Sequence, residues 1–483
     1  MGCGFAVKEK PYLSILFILT MKKKSKIHFE ISERKILLRI FDVIFVLGGL
    51  QLVSHFLHFD YFQVSQAHWA WIIVLAIYLT VFCTIFELYN LQKTNNYIKV
   101  FKNLVLASSV TVLCYLLTPF YTPLLPANRF QIVVFYFTFL GTLVLWRFAY
   151  IKFISSPRFY KKVVVVGDSF NIATIAQELE TADPNYTVAG YIDTKELDAS
   201  NVTRAIPKIN VEALKDYIKK EHIGEVVVST GYSSGMEKKL YDVLIDLLEV
   251  GFPIREYDQV YEELSSKIPV SRLKEDFYKY FPFSRSNHNK LYLFFHRIYD
   301  IVFSVIGIIL GSLLIPFVFL GNLIGNRGPL FYSQVRVGRH GKHFKIVKLR
   351  TMVTNAEAGG AQWAQANDTR ITKFGRFLRK TRLDEIPQFY NVLRGDMSVI
   401  GPRPERPVFV KKLAKEIPFY EIRHVIKPGL TGWAQVSISY GSTIEDSLHK
   451  LQYDLYYIKK RGLFLDLRIF LKTLSTVIFF RGQ

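Results

Sequence analysis

Five apolar runs decide most of what this chain can fold into. Four of them, 37–57, 69–88, 104–120 and 130–146, are each about long enough to cross a bilayer, and a fifth extends over 301–324. Basic residues set their direction. Lys22, Lys23, Lys24, Lys26, Arg34 and Lys35 precede the first run, Lys93, Lys99 and Lys102 lie between the second and third, and Arg147, Lys152, Arg158, Lys161 and Lys162 follow the fourth. The connections at 59–68 and 120–129 carry almost none, so the positive-inside rule puts both ends of a four-helix transmembrane region in the cytoplasm. No buried acid or pore-like polar stripe is read within the four runs, which favours an anchor and dimerisation scaffold over a transport path. Ahead of them, MGCG lacks the Ser or Thr of a myristoylation signal, and the short run 13–19 leads into lysines instead of a cleavage site. Translation is therefore expected to start at Met21.

The fifth run has cations on both flanks: Lys290 and Arg297 before it, and Arg327, Arg336, Arg339, Lys342, Lys345, Lys348 and Arg350 after it. The same charge rule holds both of its ends on the cytoplasmic side, which a straight crossing forbids. Pro316 supplies a way out. A mid-helix proline removes one backbone hydrogen bond and bends the axis, so the segment can enter one leaflet and return as a re-entrant hairpin.

Between the fourth and fifth runs, strand and helix alternate. A buried-strand run at 162–166 ends at Gly167, 171–180 reads as helix, 186–192 and 224–229 as strands, and 237–250 as helix, a doubly wound α/β pattern. In GDSFNIA only Gly167 stands where a dinucleotide fingerprint wants three glycines, although Asp193 falls where a ribose-binding acid would sit. A regulatory or structural Rossmann-like domain is expected in preference to a working NAD site.

The densest chemistry lies in GRFLRKTRLDEIPQFYNVLRGDMSVIGPRPERP, where Asp384 and Glu385 sit among Arg376, Arg379, Arg382, Arg394, Arg403 and Arg406. Two carboxylates alone repel a phosphate. The arginines must neutralise it before an aspartate attacks or a glutamate holds a bridging Mg²⁺, so the pattern points to phosphoryl transfer. Locally, 374–382 reads as a short basic helix, Asp384 as the N-cap of a second helix with Pro387 in its first turn, and Gly395 as its end. Asp is a favoured cap on its own account, which is the bland alternative. The surrounding arginines and the rigid Gly401-Pro402-Arg403-Pro404 turn, which fixes the direction of Arg403, weigh against it.

This block, with GPLFYSQVRVGRHGKHFKIVKLRTM upstream and IKPGLTGWAQVS downstream, resembles the bacterial sugar transferase family, the monotopic polyprenyl-phosphate glycosyl-1-phosphate transferases. The likeness runs from about Asn289 to the C-terminus. The whole chain resembles the long form of that family, the exopolysaccharide polyprenyl glycosylphosphotransferases. The resemblance implies a multi-domain membrane protein: an N-terminal segment (1–34), a four-helix transmembrane region (35–152), a Rossmann-like cytoplasmic domain (153–284), and a mainly α monotopic catalytic domain with a re-entrant membrane helix (285–483). It further implies that Asp384 attacks the β-phosphate of a nucleoside-diphosphate sugar, releasing the nucleoside monophosphate, and that polyprenyl (undecaprenyl) phosphate then displaces the aspartate. Glu385 becomes the metal ligand, with Mg²⁺ as cofactor. Arg379 and Arg403 become the phosphate clamps, with Lys348 and Arg350 of KLRTM next. Gln334 and Arg336 of SQVRVG fall on family positions without an assigned contact. Asp384 in that role must reach solvent on the cytoplasmic side of the plasma (inner) membrane. The family carries Ser-Pro at its helix break, whereas this chain has Ile315-Pro316, which puts a serine contribution in doubt. A homodimer is expected, and the sugar is not legible; uridine as the base follows from likeness only.

A net charge of +22 on a chain that is 50% hydrophobic raises the question of nucleic acid. No zinc-finger spacing or RNA-binding aromatic signature is present, and Lys and Arg on cytoplasmic loops account for part of the excess. Cys3, Cys83 and Cys114 imply neither a disulfide framework nor a metal site. Two alternatives stand beside the transferase. A nucleotide-sugar dehydratase needs an intact glycine fingerprint and a Tyr-x-x-x-Lys, and the pair near the C-terminus, Tyr456 and Lys460, lies far from the α/β region. A non-catalytic scaffold of polysaccharide assembly would tolerate loss of the aspartate and arginines. The stretches 449–462 and 466–480 read as amphipathic helices, either interfacial or packed.

Overall fold

The computed structural model describes residues 31–57, 61–62, 68–89, 97–154, 161–167, 169–183, 185–193, 206–229, 238–270, 289–357, 360, 363, 368–438, 441 and 443–478. The expected start at Met21 lies outside them. The chain forms two compact units, Met1–Ser265 and Ser266–Gln483. The division falls before the 284/285 boundary expected from sequence because Ile268 and Val270 pack into the core of the second unit.

In the first unit four apolar helices come first: α1 (Ile31–Leu57), α2 (Trp69–Ile85), α3 (Tyr97–Leu117) and α4 (Phe130–Ala149). α1 packs on α4, α2 on α3, and α3 on α4. Residues 35–56, 100–117 and 130–152, with 290–325 in the second unit, are long and apolar enough to cross a membrane. This is a membrane protein. α2 has 17 residues, about 26 Å of helix, slightly short of the ~30 Å hydrocarbon core. One sequence reading is overturned here. α1 does hold a buried acid, Asp42, whose Oδ2 accepts a hydrogen bond from Arg147 Nη2 of α4 at 2.5 Å. The other guanidinium arm donates to Leu88 O at 3.1 Å. The partner sits 105 positions away, so no local pattern announces it.

An α/β layer follows: β1 (Lys161–Gly167), α5 (Ser169–Ala182), β2 (Tyr186–Asp193), α6 (Leu214–Glu221), β3 (Glu225–Ser229), α7 (Lys238–Glu249), β4 (Ile254–Glu256) and α8 (Tyr257–Ser265). The strands are all parallel in the order β2-β1-β3-β4. The valine run of β1 is explained by burial on both faces: Val163 and Val165 pack with α5 and α8, Val164 and Val166 with α6 and α7. Gly167 aligns with Asp193 and Ser229 at the carboxyl ends of the strands. Residue 168 of the GDSFNIA loop and the side chains of 169–171 lie outside the described residues.

The second unit begins with α9 (Lys290–Gly325), followed by the hairpin β5 (Phe331–Val337) and β6 (His343–Leu349), α10 (Lys373–Lys380), a 3₁₀ turn at Leu383–Glu385, α11 (Gln388–Arg394), β7 (Ser398–Ile400), α12 (Pro407–Glu416), β8 (Gly429–Thr431), α13 (Trp433–Ser437), α14 (Ile444–Lys460) and α15 (Leu463–Ile478). α9 has 36 residues and carries Pro316 inside it without interruption, so the helix is not broken there. One face is fastened to the rest of the unit along its length. Tyr292 donates to Asp466, Arg297 to the carbonyls of Val392 and Leu393, and Asn322 to Gly328 O, while Asp300 accepts from Ser398 and Val399. Close approach is purchased with glycine: a Cβ at Gly307 or Gly311 would stand 2.4 Å from Phe389 or Ile386. The opposite face, including Leu310, Leu313 and Phe317, is exposed and apolar. α14 is an ordinary packed helix, with Leu451, Leu455, Tyr457 and Ile458 in the core and a Thr443–Asp446 capping box at its start. α15 buries Ile469 and leaves Leu463, Phe464 and Leu467 exposed.

Candidate active site

The site is assembled by a reversal of the chain between α10 and α11. Thr372 caps α10 by accepting from Gly375 N at 2.9 Å. Arg382 then adopts the left-handed conformation, φ 61° and ψ 13°, and the chain enters the 3₁₀ turn. For a residue with a side chain that backbone costs on the order of 1–2 kcal/mol, and it aims Asp384 and Glu385 into one cleft. Asp384 is therefore not a helix N-cap; Pro387 holds that position, and Gly395, with φ 96°, ends α11 as expected.

The two carboxylates differ in surroundings. Glu385 Oε1 accepts from Lys348 Nζ at 3.0 Å and Arg403 Nη2 at 2.9 Å, and Arg382 Nη1 stands 3.7 Å from Oε2. Burial alone would raise its pKa, but Lys348, Arg403 and Arg382 outweigh it and hold the group well below the usual carboxylate range. Asp384 Oδ1 is buried with no hydrogen-bond partner among the described residues. Burial, reinforced by the Glu385 charge, pushes its pKa up to about 6 against Lys348, Arg379 and Arg382. Burial also lowers the pKa of Lys348, although Glu385 opposes it.

The sequence reading required Asp384 to reach solvent, and the structure does not meet that requirement: the residue is buried, 7% exposed. It does line a cleft of about 300 Å³ that also takes in Gln334, Arg336, Lys348, Arg350, Arg379 and Arg403. Eight cationic and four acidic residues line this cleft, a surplus suited to a multiply charged anion.

The Arg403 loop is held by the downstream block. β7 pairs with β8 in parallel, Gly401 N donates to Thr431 O and Gly429 N to Pro402 O. A Cβ at Gly401 would meet Lys427 O at 2.5 Å. The buried Arg423 donates to Arg403 O at 3.1 Å and to Asp454 at 2.7 Å. IKPGLTGW thus serves the site by positioning Arg403.

The remaining sequence-derived residues separate by role. Arg379 Nε donates to Thr351 Oγ1 at 2.9 Å at the cleft wall. Arg350 spends its guanidinium on the carbonyls of Pro329, Met352 and Asn326. Its geometry supports wall building, not the phosphate clamping expected of it. Arg336 donates to Pro404 O and Gln334 Oε1, and the Gln334 amide donates to Glu357 Oε1 at 2.8 Å. Both carboxylate oxygens of Glu357 also accept from Arg406 at 3.1 Å. Sequence reasoning missed Glu357, which lies outside every recognisable block, and did not rank Arg382, although it immediately precedes the carboxylates. Among the described residues no cluster of three potential metal-ligating side chains exists. Two adjacent carboxylates with a free oxygen on Asp384 nevertheless fit Mg²⁺, which is commonly held by one or two carboxylates together with substrate phosphates.

Residues 291–480 match the sequence profile described as bacterial sugar transferase. The chain is 40% identical over 226 residues to a UDP-N-acetylgalactosamine-undecaprenyl-phosphate N-acetylgalactosaminephosphotransferase of Aeromonas hydrophila, covering 47% of this chain and 52% of that one. It is 48% identical over 141 residues to a Bacillus subtilis protein provisionally named an undecaprenyl-phosphate N-acetylgalactosaminyl 1-phosphate transferase, covering 29% of this chain and 79% of the relative. A UDP-glucose:undecaprenyl-phosphate glucose-1-phosphate transferase of Xanthomonas campestris is 32% identical over 332 residues, 66% of each chain. The match thus spans about half the length of the Aeromonas relative.

Proposed function

The chain belongs to the bacterial sugar transferase family, and from that premise we propose that it transfers a sugar 1-phosphate from a UDP-sugar to undecaprenyl phosphate, the initiating step of a surface polysaccharide. The observation that carries this reading is the asymmetry of the two carboxylates. Glu385 is wrapped by three cations, while Asp384 keeps a buried oxygen without a partner inside a cation-rich cleft.

In the first step an oxygen of Asp384 attacks the β-phosphorus. The bond from that phosphorus to the bridging oxygen breaks, and UMP leaves with the electron pair. The sugar phosphate is then held as an acyl phosphate on Asp384. In the second step a phosphate oxygen of the lipid attacks the same phosphorus, and the Asp384 carboxylate departs, leaving polyprenyl-diphosphate sugar. Arg403 and Arg379 stabilise charge on the phosphoryl oxygens, and Lys348 and Arg403 keep Glu385 ionised. Glu385 would hold Mg²⁺, which would supply charge neutralisation at the diphosphate when bound. Gln334 and Arg336 hold the far wall through Glu357.

The same reading places the catalytic unit on the cytoplasmic side of the inner membrane, with both ends of α9 on that side as a re-entrant helix. Its support is the fastening of α9 at Tyr292, Arg297, Asp300 and Asn322 to one globular body, which a helix crossing the bilayer would have to abandon at one end. The parallel α/β layer serves as a Rossmann-like domain of the proposed 153–284 region, and the four N-terminal helices anchor a homodimer. Purified chain given labelled UDP-sugars with Mg²⁺ should release UMP and retain label on Asp384 without acceptor, and form lipid product on adding undecaprenyl phosphate. Unaltered turnover in Asp384→Asn would refute the assignment.

A further inference from the structure

We propose that an apolar cavity behind the Leu383–Glu385 turn receives the first isoprene units of the acceptor, so that the position of the tail delivers its phosphate to Asp384; this rests on the transferase reading. The turn has two sides. Asp384 and Glu385 line the polar cleft, whereas Leu383 and Ile386 line a second cavity of about 260 Å³. α9 forms its far wall through Ile308, Gly311, Ile315 and Val318, and the hairpin closes it with Val347 and Leu349. Leu349 lines both cavities, next in sequence to Lys348 on Glu385.

The chemistry of this space excludes the donor. Its described lining holds no charged residue, and only Ser312 and Tyr390 bring polar side chains. Burying a sugar or a nucleotide there would leave its hydroxyls and phosphates unpaired. Hydrocarbon is welcome: an apolar cavity of about 150 Å³ accepts a benzene ring, so this one accepts a branched five-carbon unit and part of the next. The rim is reachable from the apolar side, since Leu314, Ile315 and Tyr390 are exposed beside the exposed apolar face of α9. A prenyl chain can pass from lipid into the cavity without meeting a charge.

Adjacency decides between lipids. Leu383 is the residue before Asp384 and Leu349 lines both cavities, so hydrocarbon in this cavity lies about one residue's width from the reacting phosphate. In a polyprenyl phosphate the isoprene carbons follow the phosphate oxygen at once. In a phospholipid a glycerol and two esters intervene, and the acyl chains start too far from the phosphorus.

Two variants that fill the space, Ile308→Trp and Val347→Phe, test this. Each should raise the KM for undecaprenyl phosphate by about tenfold or more relative to the KM for the UDP-sugar, the scale of discrimination a hydrophobic pocket achieves. An unchanged ratio in both variants overturns the proposal. In case either fails to fold, the wild-type chain is irradiated in vesicles with undecaprenyl phosphate bearing a diazirine in its first isoprene. Label on peptides holding 308–318 and 383–390 is the expected result. Label elsewhere, or equal labelling by phosphatidylethanolamine with a diazirine in its acyl chain, overturns it. Release of UMP without acceptor is a separate measurement: its failure would remove the transferase reading, while the labelling pattern would still decide what occupies the cavity.

Discussion

Two buried aspartates in this molecule meet arginine in opposite ways. Asp42 and Arg147, 0% and 2% exposed, are paired one to one within the apolar helices, and the spare guanidinium arm is taken by Leu88 O. Asp384 lies in a cleft with more cations than acids, and its neighbour Glu385 absorbs the nearest of them. A balanced pair cancels its own charge and holds helices together, whereas a carboxylate beside surplus cations is arranged for a visiting anion. Burial is common to both; the charge balance around it separates scaffold from chemistry.

The sharpest way to break that comparison is to neutralise each acid in turn. Asp384→Asn should lower turnover by on the order of 10⁴-fold or more, the scale of a lost nucleophile, with no labelled adduct. Asp42→Asn should leave turnover per folded molecule intact and cost about 3–5 kcal/mol of stability by leaving Arg147 buried without its partner, read by unfolding in detergent. Equal loss of turnover in both variants would erase the distinction.

Arg403→Ala comes next. Removing the cation proposed to stabilise the phosphoryl oxygens should reduce kcat by roughly 10²–10³-fold, with Lys348 and Arg382 still beside Glu385 to limit the loss of stability. The pH profile sharpens the picture further. With the Asp384 pKa pushed up to about 6, protonation below that point removes the attacking form, so kcat should fall about tenfold per pH unit on the acid side. Glu385, held well below its usual range, stays ionised through the same window. A profile flat down to pH 5 would contradict the role of Asp384. The smallest effect belongs to Arg350→Lys. An ammonium cannot reproduce three diverging bonds to the carbonyls of Pro329, Met352 and Asn326, so a stability loss of about 1–3 kcal/mol is expected, with kcat nearly retained in whatever remains folded. A selective loss of kcat there would restore Arg350 to the clamps.

The sequence by itself determined the materials: apolar runs long enough for a membrane, a β-rich valine run at 163–166, and a carboxylate pair set among arginines in blocks that mark a family. Those features are local, because length, periodicity and composition are carried by neighbouring residues. Only the tertiary structure decided how they are used. The left-handed Arg382 turns Asp384 and Glu385 into the cleft and Leu383 and Ile386 away from it, which spacing along the chain does not specify. Arg350 and Arg403 look alike as letters, yet one is consumed by main-chain carbonyls and the other reaches Glu385. Asp42 finds Arg147 across two helices, and Pro316 sits in a helix that stays whole because its glycine face is clasped along its length. Side-chain direction and long-range partnership arise from packing among distant segments, and that packing is the part no short stretch of sequence contains.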